Sequence, residues 1–432
     1  LCNTNYQSKA LMNYSKLANK LRTKLSKFSG YVSENLDKTC SRFINEAIYG
    51  ILSSQSVMLT EIGRSLETEV PLKKIEERFC RQLKKDEIWE GIHEQILSDA
   101  VPYIKDDTLL ILDLSDLFKK YAKKMEYLAT VRDGSEGGDL VNGYWTTQVV
   151  GAELGKNEIL PLYHELYSQD APGFKSENTQ IIKAIDMVSG HSENRGIWII
   201  DRGGDRDILY DKLLARNSKK RFVVRLVGTR NLLYRNSEEL ALKLAYKCKK
   251  PYSETVIKEE NGKEKVYHIS YGYMPVKLPN HDDQLYMLVV EGLGNKPMML
   301  LTTEPLKRKR KVLYRVLGYY LKRWSIEETI RFIKQTYDLE NIRVLKYSRL
   351  RNMMGLLLAV FYFIAAKLDT SQKLKIMAGH VLKQAKRVFG VPDFKYYALG
   401  DGLSDIFKRS PGKLRTPKNP GTDELQLTFG FT

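Results

Sequence analysis

The run Leu109-Leu110-Ile111-Leu112-Asp113-Leu114 is apolar at every position but one. A continuous apolar run reads as a central strand covered on both faces, and the single carboxylate, Asp113, lies near its end. Gly143 to Leu154 and Glu158 to Leu166 read as two neighbouring strands. A helix is expected next, with Ser176 as N-cap before Ile181, Ile182, Ile185 and Met187. The stretch Gly196 to Asp207 reads as another buried strand, ended by glycines just after Asp201, followed by a helix to about Arg216. Arg221 to Val227 closes this α/β unit as a fifth strand.

Outward from this unit the texture changes. Residues 8 to about 100 carry helical spacing, as in Leu11, Leu17, Leu21 and Leu25, with Ser33-Glu34-Asn35 opening a second helix and a break at Ser53 to Ser56. Such a bundle fits a DNA-binding head or a plain helical cap equally well. Residues 229 to about 305 contain short apolar runs with Asn-Gly, Pro-Asn and Gly-Asn turn signals, hence a β-rich insertion. Helix is expected again from Lys311 through Tyr337 and on to Leu368. The expected organisation is a helical N-terminal domain (1–100), a core in two parts (101–228 and 306–370) around the insertion (229–305), and a basic, helical C-terminal region (371–432).

Composition narrows the function classes. The 432 residues hold 70 Lys and Arg against 52 Asp and Glu, a net +18 that points to a polyanionic partner. The net charge is about +2 over 1–100, −5 over 101–200, +6 over 201–300 and +15 over 301–432, counted along the sequence. So uneven a distribution disfavours a uniform solvated coat. The four cysteines form no Cys-x2-Cys pair, and the histidines lack the His-x3-His spacing of a helical zinc site. His191-Ser192-Glu193 has the His-x-Glu form of zinc deaminases without their cysteine pair. A metal would therefore be hard, Mg2+ or Mn2+, on carboxylates. No Gly-x4-Gly-Lys-Ser/Thr motif occurs, which excludes a P-loop motor. The apolar run Met353 to Ala366 is too short to cross a bilayer core of roughly 30 Å and reads as a buried helix. With cysteine spacings that suggest no disulfide framework, a reducing, cytoplasmic setting is expected, and no charged-then-apolar leader directs export.

An Asp at a strand end is ordinarily a turn former or helix cap. Two of them, Asp113 and Asp201, at adjacent strand ends of an α/β sheet lie where such sheets bind ligands. A third group sits in the segment Tyr319 to Tyr337. On a helical wheel of about 100° per residue with Tyr320 at zero, Arg323 falls near −60°, Glu327 near −20° and Lys334 near −40°. Tyr319, Ile326, Ile330, Ile333 and Tyr337 form the apolar stripe beside that face. A surface i, i+4 ion pair explains the Arg323–Glu327 spacing but not the placement of Tyr320 and Lys334 on the same line.

Asp113, Asp201 and the pattern Tyr320-x2-Arg323-x3-Glu327-x6-Lys334 resemble the DDE-type transposases of bacterial insertion sequences, in the group with a Tyr-Arg-Glu-Lys signature. The resemblance spans roughly residues 100 to 370. It implies a ribonuclease H-like core with the insertion between the second Asp and the Glu. It further implies that Asp113, Asp201 and Glu327 are catalytic and hold two Mg2+ ions, with Mn2+ as a substitute. The implied activity is cut-and-paste transposition: transposon ends are cleaved, through a hairpin intermediate, and joined to target DNA. Tyr320, Arg323 and Lys334 would hold phosphates. The insertion has no tryptophan, so stacking of a flipped base falls to Trp324 or to Tyr267, Tyr271 or Tyr273. The partners implied are double-stranded DNA, as terminal inverted repeats and target, and a second copy of the chain on that DNA, with the bacterial nucleoid as location and no membrane. Asp116 and Asp205 compete for the acidic positions; Asp113 is preferred because it ends the apolar run. The rivals are a ribonuclease H-like nuclease that only hydrolyses and a transposase-derived DNA-binding protein without catalysis.

Overall fold

The computed structural model describes residues 14–119, 122–132, 140–260, 263–384 and 394–417. The chain opens with five helices, α1 (Tyr14–Val32), α2 (Lys38–Ser54), α3 (Leu59–Arg64), α4 (Leu72–Gln82) and α5 (Glu87–Ala100). The second begins later than the expected Ser33-Glu34-Asn35 start. Ser33 instead folds back on the first helix, donating its hydroxyl to the Ser29 carbonyl at 2.6 Å. The N-cap is Asp37, whose carboxylate accepts from the Thr39 and Cys40 amides at 2.8 and 2.9 Å. The expected break after Ser54 is a left-handed cap at Gln55, φ 54°.

The apolar run of the opening motif continues as β1 (Leu109–Phe118), longer than the hydrophobic residues alone suggest because pairing carries it through Ser115 and Asp116. Then follow β2 (Ala129–Arg132), β3 (Leu140–Ala152), β4 (Ile159–Tyr167), α6 (Glu177–His191), β5 (Ile197–Ile200), α7 (Asp207–Leu213) and β6 (Arg221–Arg225). The short β2 has no counterpart in the sequence reading, since four residues carry too little period. Ser176 caps α6, its hydroxyl accepting from the Thr179 amide at 3.2 Å. On one side of β1, β3 and then β4 pair antiparallel; on the other, β5 and β6 run parallel to it. The parallel register sets Leu112 opposite Ile200, so Asp113 and Asp201 are the next residues along the two neighbouring segments; Asp201 follows the end of β5, whereas Asp113 lies mid-strand and not at the expected strand end, because pairing with β3 carries β1 on to Phe118. Gly196 makes that approach possible. It has φ +97°, and a Cβ there would lie 2.8 Å from Leu110.

The segment expected as an insertion supplies a hairpin, β7 (Asn231–Tyr234) and β8 (Ser237–Leu240), then α8 (Ala241–Lys247) and four strands, β9 (Tyr252–Glu260), β10 (Lys263–Val276), β11 (Leu285–Glu291) and β12 (Met298–Thr302). These four extend the same sheet, because β12 pairs antiparallel with β6. The result is one ten-stranded mixed sheet ordered β2-β3-β1-β5-β6-β12-β11-β10-β9, with β4 also on β3.

The chain ends in α9 (Arg310–Leu321), α10 (Trp324–Thr336), α11 (Tyr347–Tyr362), a π-helical turn (Phe363–Lys367), α12 (Thr370–Gln384) and α13 (Tyr396–Arg409). The helix expected from Lys311 through Tyr337 is therefore two. At the join the amides of Arg323, Ser325 and Ile326 reach back three residues, to Tyr320, Lys322 and Arg323, and this tighter turn resets the wheel. Tyr347–Lys367 is long and apolar enough to cross a membrane by length and composition, yet 94% of its most apolar 18-residue stretch is buried inside the protein. The basic tail is partly structural. Ser26 and Asn45 donate to the Arg415 carbonyl and Arg22 to that of Ser410, which lays residues 411–417 along α1 and α2. The remaining tail residues lie outside the described ones.

Two buried histidines tie the helical head to the sheet. His93 Nε2 accepts from the His164 amide at 3.1 Å, while Nδ1 meets the Trp89 carbonyl at 2.8 Å. Burial holds the His93 pKa well below the ordinary imidazole value and lowers that of His164 to about 3. Both stay neutral in the fold, whereas the unfolded chain takes up protons below about pH 6.5. Stability is therefore full above that pH and falls as the pH drops, by up to about 1.4 kcal/mol per pH unit for each ring. Urea melts at pH 6.5 and 5.5 measure it, and equal midpoints would contradict two neutral buried rings.

Candidate active site

Asp113 is three-quarters buried in the middle of β1, where the parallel pairing with β5 stops, and Asp201 follows the last residue of β5. Arg323, only 8% exposed, stands at the start of α10 and joins the groups. Its Nη1 lies 3.2 Å from Asp113 Oδ2 and its Nη2 2.7 Å from Glu327 Oε1. Its guanidinium carbon is 5.7 Å from the centre of the Tyr320 ring, and the Tyr320 hydroxyl donates to Asp201 Oδ1 at 2.6 Å. Arg225 adds a cation 3.7 Å from the same Asp201 oxygen. Tyr320, Arg323, Glu327, Asp113 and Asp201 thus form one connected polar cluster. Tyr320 belongs to α9 rather than to the helix of Glu327, so it reaches the cluster across the join and not along one helical line.

The environments of the carboxylates differ. Burial raises the Asp113 pKa to about 6, with the Arg323 charge opposing it. Burial also acts to raise that of Asp201, but the Tyr320 hydrogen bond and the Arg323 charge outweigh it and leave it below the ordinary value. Burial, reinforced by the Asp201 charge, pushes Tyr320 up to about 12, so its hydroxyl keeps its proton and remains a donor. Arg323 is raised, the surrounding acidic groups outweighing the burial that opposes its charge.

Lys334 lies two turns further along α10, with Nζ 3.4 Å from Asp116 Oδ2 and 3.7 Å from Glu340 Oε1. Asp116 is consequently a partner of Lys334 and stands apart from the Asp113 cluster. Asp205, the other competitor, is buried and fully engaged. It accepts from the Val227 amide at 2.6 Å, Arg230 Nε at 2.7 Å and the Tyr210 hydroxyl at 3.0 Å. Its role is to tie β6 and the following loop to α7. Trp324 is half-buried at the first position of α10. Of the insertion tyrosines, Tyr271 is fully buried, Tyr273 packs on Tyr286 with ring centres 6.2 Å apart, and Lys265 sits 5.1 Å from the Tyr267 ring.

An open groove of about 1450 Å³ runs from Asp113 and Glu327 past Asp116 and Lys334. Trp145, Lys119, Arg132 and Arg343 line it as well, and none of these is marked by sequence spacing. Trp145 enters because β3 pairs with β1 and sets it opposite Asp116. Lys119 is held by the carbonyls of Glu340 and Ile342, and burial lowers its pKa to about 8.

Three carboxylates are hard oxygen donors of the kind that hold Mg2+ or Mn2+, and the donor chemistry of the cluster fits such an ion. Among the described residues, the group of three candidate ligands whose donor atoms all lie within 4.8 Å is Asp37, Cys40 and Glu87, where Asp37 serves as the α2 cap. Asp113, Asp201 and Glu327 are spread wider, with a guanidinium between two of them.

No protein-family model matches the chain, and neither does any curated protein. Among solved structures, the piggyBac transposase synaptic complex with hairpin DNA aligns with 92% of this chain and 80% of that one, at 10% identity and a TM-score of 0.40.

Proposed function

We propose that the chain is a DDE-type DNA transposase that cleaves transposon ends and joins them to target DNA. The observation that carries this reading is the cluster itself. Strand register makes Asp113 and Asp201 neighbours, and Arg323 connects Asp113 to Glu327 from a helix 210 residues further along the chain. The strand order β4-β3-β1-β5-β6, antiparallel and then parallel, supports a ribonuclease H-like core. The excess of positive charge in the last third of the sequence supports a polyanionic partner.

In this reading Asp113, Asp201 and Glu327 would hold two Mg2+ ions, which would supply electrostatic stabilisation of charge developing in an in-line displacement at phosphorus. Tyr320 keeps Asp201 ionised and oriented by its hydrogen bond. Arg323 and Lys334, with Trp324 beside them, contact DNA next to the scissile phosphate. Two ends are cut in one complex, so the active form is a homodimer on DNA, and in the cell the protein acts at the nucleoid in the cytoplasm.

Incubation with Mg2+ and duplex DNA carrying the element's terminal repeats is expected to yield nicked ends, hairpins and joined products, resolved on denaturing gels. Cleavage without joining would favour a nuclease that only hydrolyses. Binding without cleavage would favour a DNA-binding protein derived from a transposase.

A further inference from the structure

Arg323 is placed for its neighbours more than for itself. Its guanidinium makes ion pairs with Asp113 and Glu327, while its Nε is buried without a hydrogen-bond partner. A buried donor left unmade is costly, so this position is not one in which the arginine is fully satisfied. Its planar fork spans two carboxylates that would otherwise repel each other, one three-quarters buried and one half-exposed. The same two carboxylates are the hard donors a divalent ion would need.

We infer that Arg323 is a displaceable counter-ion: it holds Asp113 and Glu327 together in the metal-free protein and gives up that position to a divalent cation. Displacement frees a bidentate fork suited to phosphate oxygens. Cation binding and phosphate gripping are then coupled through one side chain. The inference rests on the metal-binding reading above and goes beyond it by giving Arg323 opposite effects on two ligands.

The test is Mn2+ titration of the full chain, read by the paramagnetic resonance of free Mn2+, in wild type, Arg323→Gln, Arg323→Lys and Arg225→Gln. Arg323→Gln is expected to bind Mn2+ roughly tenfold more tightly, because a competing charge-assisted pair is gone. Its metal-free melting temperature should fall, and Mn2+ should restore more of it than in wild type. Arg225→Gln removes a cation near Asp201 that bridges no two carboxylates, so its gain should be well below that of Arg323→Gln. Arg323→Lys keeps the charge without the fork and should show an intermediate gain; it also serves if the Gln variant does not fold.

Unchanged or weaker Mn2+ binding in both Arg323 variants overturns the inference. So does an equal gain in Arg225→Gln, which would show a general charge effect in place of a shared position. If no form of the protein binds Mn2+, the metal-binding reading falls and this inference falls with it. Binding by wild type without a gain in the variants overturns this inference alone.

Discussion

Glu327→Gln is expected to remove DNA cleavage while leaving DNA binding and folding in place. The amide keeps the shape of the side chain and can still accept from Arg323 Nη2, now 2.7 Å from Glu327 Oε1. What it loses is the charge that a divalent ion requires. Loss of metal-assisted charge stabilisation is worth several kcal/mol of barrier, about 10³-fold in rate. Glu327 is 46% exposed and the buried Arg323 keeps its pair with Asp113, so the stability cost of the lost ion pair should be about 1 kcal/mol. Single-turnover cleavage of end DNA, with gel-shift binding and a thermal melt on the same preparation, separates the effects. Undiminished cutting would remove Glu327 from the catalytic set, and a parallel loss of binding and stability would give it a structural role.

Trp89→Ala should be the most destabilising single change at the joint between the helical head and the sheet. The indole is 1% exposed, and its N–H donates to the His164 carbonyl on β4 at 2.9 Å. Its ring stacks on His93 with centres 3.8 Å apart and is flanked by Lys183 Nζ at 4.6 Å and Arg351 at 4.3 Å. Those cations are in turn held by buried Glu165, at 2.6 and 2.9 Å, so one ring ties α5, β4, α6 and α11 together. Truncating a buried tryptophan costs about 3–5 kcal/mol, a large part of the 5–15 kcal/mol typical of a domain. A single cooperative melt displaced far downward is the expected result. Two separate transitions, with the second at the wild-type temperature, would mean that the head folds independently of the sheet. This packing assigns α5 to the body of the protein.

Local pattern determined much of the architecture. The unbroken apolar run before Asp113 and the strand closing at Asp201 need only nearest-neighbour chemistry: two buried faces demand apolar side chains. The spacing of Tyr320, Arg323, Glu327 and Lys334 was equally legible, since a helix repeats over a few residues. Three features were not legible in this way, the first a local turn and the other two dependent on partners distant in sequence. The join between α9 and α10 moved Tyr320 onto a separate helix, and no periodicity announces a turn in which amides reach back three residues. Asp116 and Asp205 look like Asp113 and Asp201 in composition, and only Lys334, Arg230 and the Val227 amide distinguish them. Arg323 between Asp113 and Glu327 spans 210 residues of chain. Sequence by itself determined which residues carry charge and which strands are buried; only the tertiary structure decided which charges share a desolvated space, because that depends on strand register and helix placement rather than on local spacing.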